Sequence, residues 1–184
     1  MNYCSQCGSS AIKPQIPEGD NLPREVCQNC HYIFYSNPKI VVGAVVTYND
    51  LYLLCKRDIK PQKGFWTYPA GYLEENETLE EGAIRETFEE SKAQVEINRL
   101  IGVYSLKRVN QVHIIYSATM LTEQFTTTFE SSEVKLVQEK DIPWSQLAFP
   151  VIKWALKAHI DPSTSGQVDL KSTALSLADS LKYD

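Results

Sequence analysis

The pattern of apolar and polar positions changes character several times along this chain. From Ile40 the sequence IVVGAVVTY is apolar and β-branched, Asn49-Asp50 signals a turn, and LYLLCKR follows; together they predict a hairpin in a buried sheet. Residues 58–70 read as a loop with Pro61 and Gly64 that leads through a short strand, FWTYP, into Gly71. Thr78 with Glu81 three residues on forms a capping box, which starts a helix at about Leu79. On that helix Glu86, Glu89 and Glu90 are spaced i, i+3, i+4 and share one face, while Ile84 and Phe88 are expected to pack against the sheet from the opposite side. Two segments rich in β-branched and aromatic residues, 95–108 and 111–122, predict strands joined at Asn110. Pro150 then opens a last helix, with Val151, Ile152, Ala155 and Leu156 facing inward. Beyond Ile160 the sequence is polar and weakly periodic, and residues 161–184 read as a tail or short helix.

Composition sharpens this picture. The chain has 184 residues, 43% of them apolar and 22% charged, as expected of one soluble domain with a small appendage. Its longest apolar run, Ile40 to Val46, is far short of the ~20 residues a membrane span needs. The start, MNYCSQC, lacks the pattern of a secretory signal, so a cytoplasmic protein with no membrane partner is expected. The net charge of −5 argues against a broad nucleic-acid surface. That charge is concentrated: eight of the 23 acidic residues lie between Glu74 and Glu90, with Arg85 the one base among them. Such a cluster fits either a solvated acidic face or carboxylates that hold a divalent cation, which in the case of Mg²⁺ usually also bridges substrate phosphates.

The cysteines define a second unit. Cys4-x2-Cys7 and Cys27-x2-Cys30 are separated by 19 residues, a spacing that fits a four-cysteine zinc site. The intervening loop holds three prolines and little apolar content, so a structural Zn²⁺ must supply the folding free energy of residues 1–38. His31 follows the second pair but is not needed as a ligand. Cys55 reads as a small core residue and His113 as a structural strand position. Arg57, at the end of its strand, reads either as a solvated strand end or as a group that faces phosphate.

Gly71, Glu77, Arg85, Glu86, Glu89 and Glu90 match every polar position of the Nudix box, G-x5-E-x7-R-E-U-x-E-E-x-G-U with U apolar. Thr87 stands at an apolar position, and Lys92 replaces the last glycine, which implies a different turn geometry at the helix end. Over residues 4–160 the chain resembles zinc-ribbon Nudix hydrolases of the ADP-ribose and FAD pyrophosphatase group. The resemblance implies an α/β fold: a Nudix α/β/α sandwich with a mixed sheet over residues 39–160, preceded by a small Cys4 zinc ribbon over 1–38. It further implies Mg²⁺ or Mn²⁺ on Glu86, Glu89 and Glu90, with Arg85 orienting them and Glu77 in support. Glu133 is the candidate general base and Glu130 its competitor, each also readable as a solvated loop acid. The implied reaction hydrolyses a nucleoside diphosphate linked to another group, ADP-ribose or FAD, to AMP plus ribose 5-phosphate or FMN. The implied partner is a small nucleotide rather than a nucleic acid, and a homodimer is the family expectation. The alternative is a Nudix module that senses such a nucleotide and regulates a partner.

Overall fold

The computed structural model of the chain describes residues 2–161, 163 and 167–173. Two compact units divide between Asn37 and Pro38. In the first, β1 (Ile12–Gln15), β2 (Arg24–Cys27) and β3 (Ile33–Phe34) form an antiparallel sheet in that order. Its described residues bury only Cys4, Pro17, Val26 and Cys27. The two cysteine turns repeat one geometry. The Gly8 N–H donates to the Cys4 carbonyl at 2.9 Å and the His31 N–H to the Cys27 carbonyl at 3.0 Å. Both closing residues adopt left-handed backbone, Gly8 at φ 72° and His31 at φ 61°. Glycine meets that requirement without steric cost, and histidine is among the side chains that tolerate it best. His31 is therefore a turn residue.

The second unit is built on β4 (Lys39–Tyr48) and β5 (Leu51–Arg57), joined through Asn49 and Asp50, both at positive φ as a two-residue hairpin turn requires. Short strands β6 (Trp66–Thr67) and β7 (Ala70–Tyr72) follow, then helix α1 (Leu79–Ser91), β8 (Val95–Leu106), β9 (Gln111–Met120), β10 (Ser131–Val137), helix α2 (Pro150–Ile160) and β11 (Asp169–Thr173). The main sheet runs β10-β5-β4-β9-β8-β11 and is mixed, with β4 parallel to β9 and β11 parallel to β8. The hairpin pairs directly only at Thr47–Tyr48 with Leu51–Tyr52. Beyond that point the strands part, and the gap is occupied by β7 against β4 and β6 against β5.

Alternate residues of β4 serve opposite layers, as its unbroken apolar run implies. Val42, Ala44 and Val46 join Leu53, Ala83 and Ala118 under α1. Val45 joins Leu54, Tyr104, Ile115, Val151 and Leu156 under α2. The result is an α/β/α sandwich. Helix α2 faces inward through Val151, Ile152, Ala155 and Leu156, as its periodicity predicts.

Helix α1 corrects the sequence reading. It begins at Leu79 with the expected capping box, but its buried residues are Gly82, Ala83, Glu86, Thr87, Glu90 and Ser91, and Ile84 and Phe88 are 38% and 44% exposed. The inward face is narrow and polar rather than apolar. Its buried hydroxyls are satisfied within the helix: Thr87 Oγ1 donates to the Ala83 carbonyl at 2.8 Å and Ser91 Oγ to the Thr87 carbonyl at 2.6 Å. Small residues allow the helix to approach the sheet closely enough for Glu86 and Glu90 to reach its gap. Lys92 also departs from expectation, since it takes the left-handed cap a glycine would occupy, at φ 60°. Its N–H bonds the Phe88 carbonyl at 2.8 Å, and its ammonium lies 4.8 Å from the centre of the Phe88 ring. The expected tail or short helix over 161–184 instead contains a strand, β11, whose parallel register places Asp169 against Gly102; residues 174–184 lie outside the described residues. Among the described residues no helix is long and apolar enough to cross a membrane.

Candidate active site

Arg85 is the hub of the acidic segment. Its Nε and Nη2 donate to the two carboxylate oxygens of Glu77 at 2.9 and 2.7 Å, a bidentate fork that only a planar guanidinium makes. Its Nη1 donates to Glu86 at 2.8 Å and to Glu89 at 3.2 Å, and Nη2 also reaches the Tyr72 carbonyl at 3.0 Å. Glu77 in turn accepts the Glu74 N–H at 2.7 Å, which closes the loop before the helix. The spacing of Glu77 and Arg85 is thus the distance from loop to second helical turn, and the pair fastens one to the other.

That fork holds the Glu77 carboxyl well below its ordinary value of 4.5, at about 2. A depressed folded-state value contributes stability that is present above pH 4.5 and lost as pH falls towards 2. Glu77→Gln should therefore lower stability at neutral pH and flatten the acid limb of a pH titration of the melting temperature below pH 4.5. A wild-type limb retained in the variant would remove Glu77 from that role.

The carboxylates differ in exposure. Glu86 and Glu90 are buried, whereas the Glu89 side chain is 51% exposed. Burial raises the Glu86 carboxyl, and burial followed by the charge of Glu86 raises that of Glu90 to about 8. Gly71, the first residue of the box, makes room for this arrangement. A Cβ there would lie 2.3 Å from the Glu86 carboxylate carbon and from both its oxygens. Gly71→Ala should displace that carboxylate and lower kcat on the order of tenfold or more with the fold intact, as steady-state kinetics and circular dichroism would show.

A cavity of about 620 Å³ opens onto Glu86, Glu89 and Glu90. Arg57 lines it, with Nε donating to the Pro61 carbonyl at 3.0 Å and the guanidinium 5.3 Å from the Phe149 ring centre. Its positive charge acts on Glu90. Glu130 lines it as well, its carbonyl accepting the Asp58 N–H at 2.7 Å and its negative charge acting on Glu86 and Glu90. Glu133 is not brought there. It sits on β10 opposite Lys56, whose Nζ lies 3.5 Å from its carboxylate. The register shift between Ser131 and Glu133 separates the two candidates, and strand pairing alone reveals it. The cavity is also lined by Tyr72, Gln111 and His113. Sequence reasoning passed over Tyr72 and Gln111 and read His113 as a structural strand position, because only the pairing of β7, β4 and β9 aligns the three.

Among the described residues the four cysteines alone are already gathered closely enough to hold a metal ion, whereas the carboxylates line one cavity without forming such a group and fit a cation by their chemistry. Glu86, Glu89, Glu90 and Glu130 line one cavity with two of them buried, and such oxygen donors suit a hard divalent cation, whose charge would offset the burial and the repulsion from Glu86 that raise Glu90. In the first unit the sulfurs of Cys4, Cys7, Cys27 and Cys30 all lie within 4.8 Å of one another, and the Cys4–Cys30 and Cys7–Cys27 pairs are 3.6 Å apart. A tetrahedron with Zn–S bonds of about 2.3 Å has edges of about 3.8 Å. The four thiols are thus gathered at nearly the separation zinc requires, and His31 is not among the grouped donors.

Residues 2–36 match the family model of the Nudix N-terminal zinc ribbon, and residues 37–155 match that of the NUDIX domain. A NUDIX hydrolase of Nitrosomonas europaea, solved by crystallography, is 45% identical and superposes with a TM-score of 0.87 over 94% of this chain and 100% of its own. An ADP-ribose pyrophosphatase of Methanocaldococcus jannaschii is 28% identical over 64% of this chain and 71% of its own length. The NAD-capped RNA hydrolase NudC of Haemophilus influenzae is 30% identical over 76% of this chain, and that of Edwardsiella ictaluri 32% over 54%. The chain spans 48% and 36% of the length of those two NudC proteins. The NUDIX model covers well over half of the sequence and takes in the loop, helix and carboxylates gathered around Arg85, so the chain belongs to the Nudix hydrolase family.

Proposed function

We propose that the chain hydrolyses the pyrophosphate bond of an adenine dinucleotide-type substrate, ADP-ribose or an NAD-related compound, into two monophosphates. The observation that carries this reading is the convergence of Glu86, Glu89, Glu90 and Glu130 with Arg57 and Arg85 on one cavity of nucleotide size. Relatives named ADP-ribose pyrophosphatase and NAD-capped RNA hydrolase support the adenine-containing substrate class. The second name admits RNA with such a cap beside the free nucleotides, whereas charge balance by itself argues against nucleic acid.

Mg²⁺ or Mn²⁺ held by Glu86, Glu89 and Glu90 would neutralise the pyrophosphate oxygens that otherwise repel a nucleophile. The protein does the rest. Arg85 fixes Glu86 and Glu89 by hydrogen bonds, and Glu77 fixes Arg85. Arg57 offers a cation to the phosphates from the same cavity lining. Glu130 accepts the proton of the attacking water as its oxygen bonds to phosphorus and the bridging P–O bond breaks, releasing AMP and, from ADP-ribose, ribose 5-phosphate.

The test is purified protein with Mg²⁺ and a panel of ADP-ribose, NADH, FAD, diadenosine polyphosphates and NAD-capped RNA, with products separated by chromatography. ADP-ribose or NADH should be cleaved at the pyrophosphate, in preference to FAD. A chain that binds ADP-ribose yet cleaves none of the panel would be a sensor instead, and the hydrolytic reading would fall.

A further inference from the structure

The cavity contains a polar group that phosphate chemistry does not use. Gln111 and His113 lie two residues apart on β9 and so share one face of the sheet. His113 pairs across to Val41 on β4, and Val41 to Tyr72 on β7. This row lines the cavity together with Leu106, the last residue of β8, and Val109, in the turn that joins β8 to β9.

The Gln111 amide is held at both atoms. Nε2 donates to the Tyr72 hydroxyl at 3.0 Å, and Oε1 lies 2.9 Å from His113 Nε2. An amide oxygen only accepts, so the ring nitrogen that faces it carries the hydrogen. Burial lowers the His113 imidazole to about 4, which keeps it neutral and its tautomer fixed at ordinary pH. An amide nitrogen has a second hydrogen and its oxygen a second lone pair. Each therefore retains one hydrogen-bonding position, in an orientation the neighbours enforce.

Tyr72 links this group to the charged wall. The residue is 48% exposed with the Lys39 ammonium 4.9 Å from the ring centre, and its carbonyl takes the hydrogen bond from Arg85. The preceding residue is Gly71, against which the Glu86 carboxylate packs. The ring and phosphate portions of one nucleotide would thus fall on adjacent residues of β7.

From this geometry we propose that Gln111, braced by Tyr72 and His113, is the specificity-determining group of a nucleobase subsite that selects adenine. The inference rests on the cavity taking an adenine nucleotide derivative, as argued above. An amide reads adenine through two bonds, accepting from the exocyclic amine and donating to a neighbouring ring nitrogen. The Tyr72 ring and the apolar side chains of Leu106 and Val109 supply contact for the base faces. Hypoxanthine has a carbonyl in place of the amine, so its oxygen would meet Gln111 Oε1 without a hydrogen between them, a mismatch that works against binding.

The experiment compares wild type with Gln111→Leu on ADP-ribose and its hypoxanthine counterpart, IDP-ribose, with Mg²⁺ present. It also measures AMP and IMP binding without Mg²⁺ by calorimetry. Wild type should favour ADP-ribose by about tenfold or more in kcat/KM. Gln111→Leu should raise KM for ADP-ribose about tenfold, hold kcat within about twofold and abolish the preference. Tyr72→Phe keeps the ring but removes the hydroxyl that positions Gln111, and should lose part of the preference. Equal use of both substrates by wild type, or a preference unchanged in Gln111→Leu, overturns the subsite. If no nucleotide is cleaved, the hydrolytic reading fails by itself. AMP binding that exceeds IMP binding in wild type but not in Gln111→Leu still upholds the subsite, and equal binding of the two by wild type removes it.

Discussion

Glu90→Gln should lower kcat on the order of 10³-fold and at the same time raise the melting temperature of the zinc-loaded protein in magnesium-free buffer. Both effects have one cause. Glu90 is buried in the gap of the sheet, where its charged form lacks water and faces Glu86, so its carboxyl rises to about 8. For an acid whose folded-state value is raised, the folded state binds more protons than the unfolded one between 4.5 and 8, and stability falls as pH rises through that window. Glutamine keeps the shape and removes the charge. The gain in melting temperature should therefore grow from pH 5 to pH 8, as calorimetry at the two pH values would read. Activity moves the opposite way, because the neutral amide cannot supply the anionic oxygen that a cation and a phosphate together require. Glu89→Gln should lower activity without that gain, since the Glu89 carboxylate is already half in water. Undiminished turnover by Glu90→Gln would dismiss the ligand assignment.

Removing zinc, by a selective chelator or through Cys27→Ser, should unfold β1 to β3. The first unit buries four described residues, of which Cys4 and Cys27 are among the four grouped thiols, so burial contributes little to its folding. Structural zinc sites of this kind are worth about 10–16 kcal/mol at neutral pH, far beyond what Val26 and Pro17 could supply. Amide exchange should become fast at Ile12–Gln15 and Arg24–Cys27 and stay slow in β4 and β9, which have a core of their own. Slow exchange in β1 and β2 after complete zinc loss would contradict the assignment.

Helix α1 shows where sequence reasoning succeeds and where it stops. Its start is a local matter, decided by Thr78 and Glu81 reaching each other's backbone, and it is legible in the chain. The face it buries is not. Periodicity places Ile84 and Phe88 inside, yet each remains more than a third exposed and forgoes part of the about 1.5–3 kcal/mol that full burial would give. The inward face is set by what the opposing surface admits. Val42, Leu73 and the Glu77 carboxylate come so near Gly82 that a Cβ there would lie within about 3 Å of each, so that position admits only glycine.

The sequence by itself determined the main strands and helices, the paired cysteines and the acidic cluster, because each rests on periodicity or on spacing within one segment; the sandwich layers and the role of the box carboxylates came with the family resemblance. Tertiary structure decided the rest. The parted hairpin of β4 and β5 and the register shift in β10 bring Glu130 to the cavity and leave Glu133 beside Lys56. The row from Tyr72 through Val41 to His113 joins three strands distant in sequence. Such contacts depend on register and on which strands are neighbours, which no local pattern encodes. The acidic segment therefore announces its carboxylates in the sequence, while burial, a property of the assembled sandwich, makes Glu86 and Glu90 differ from Glu89.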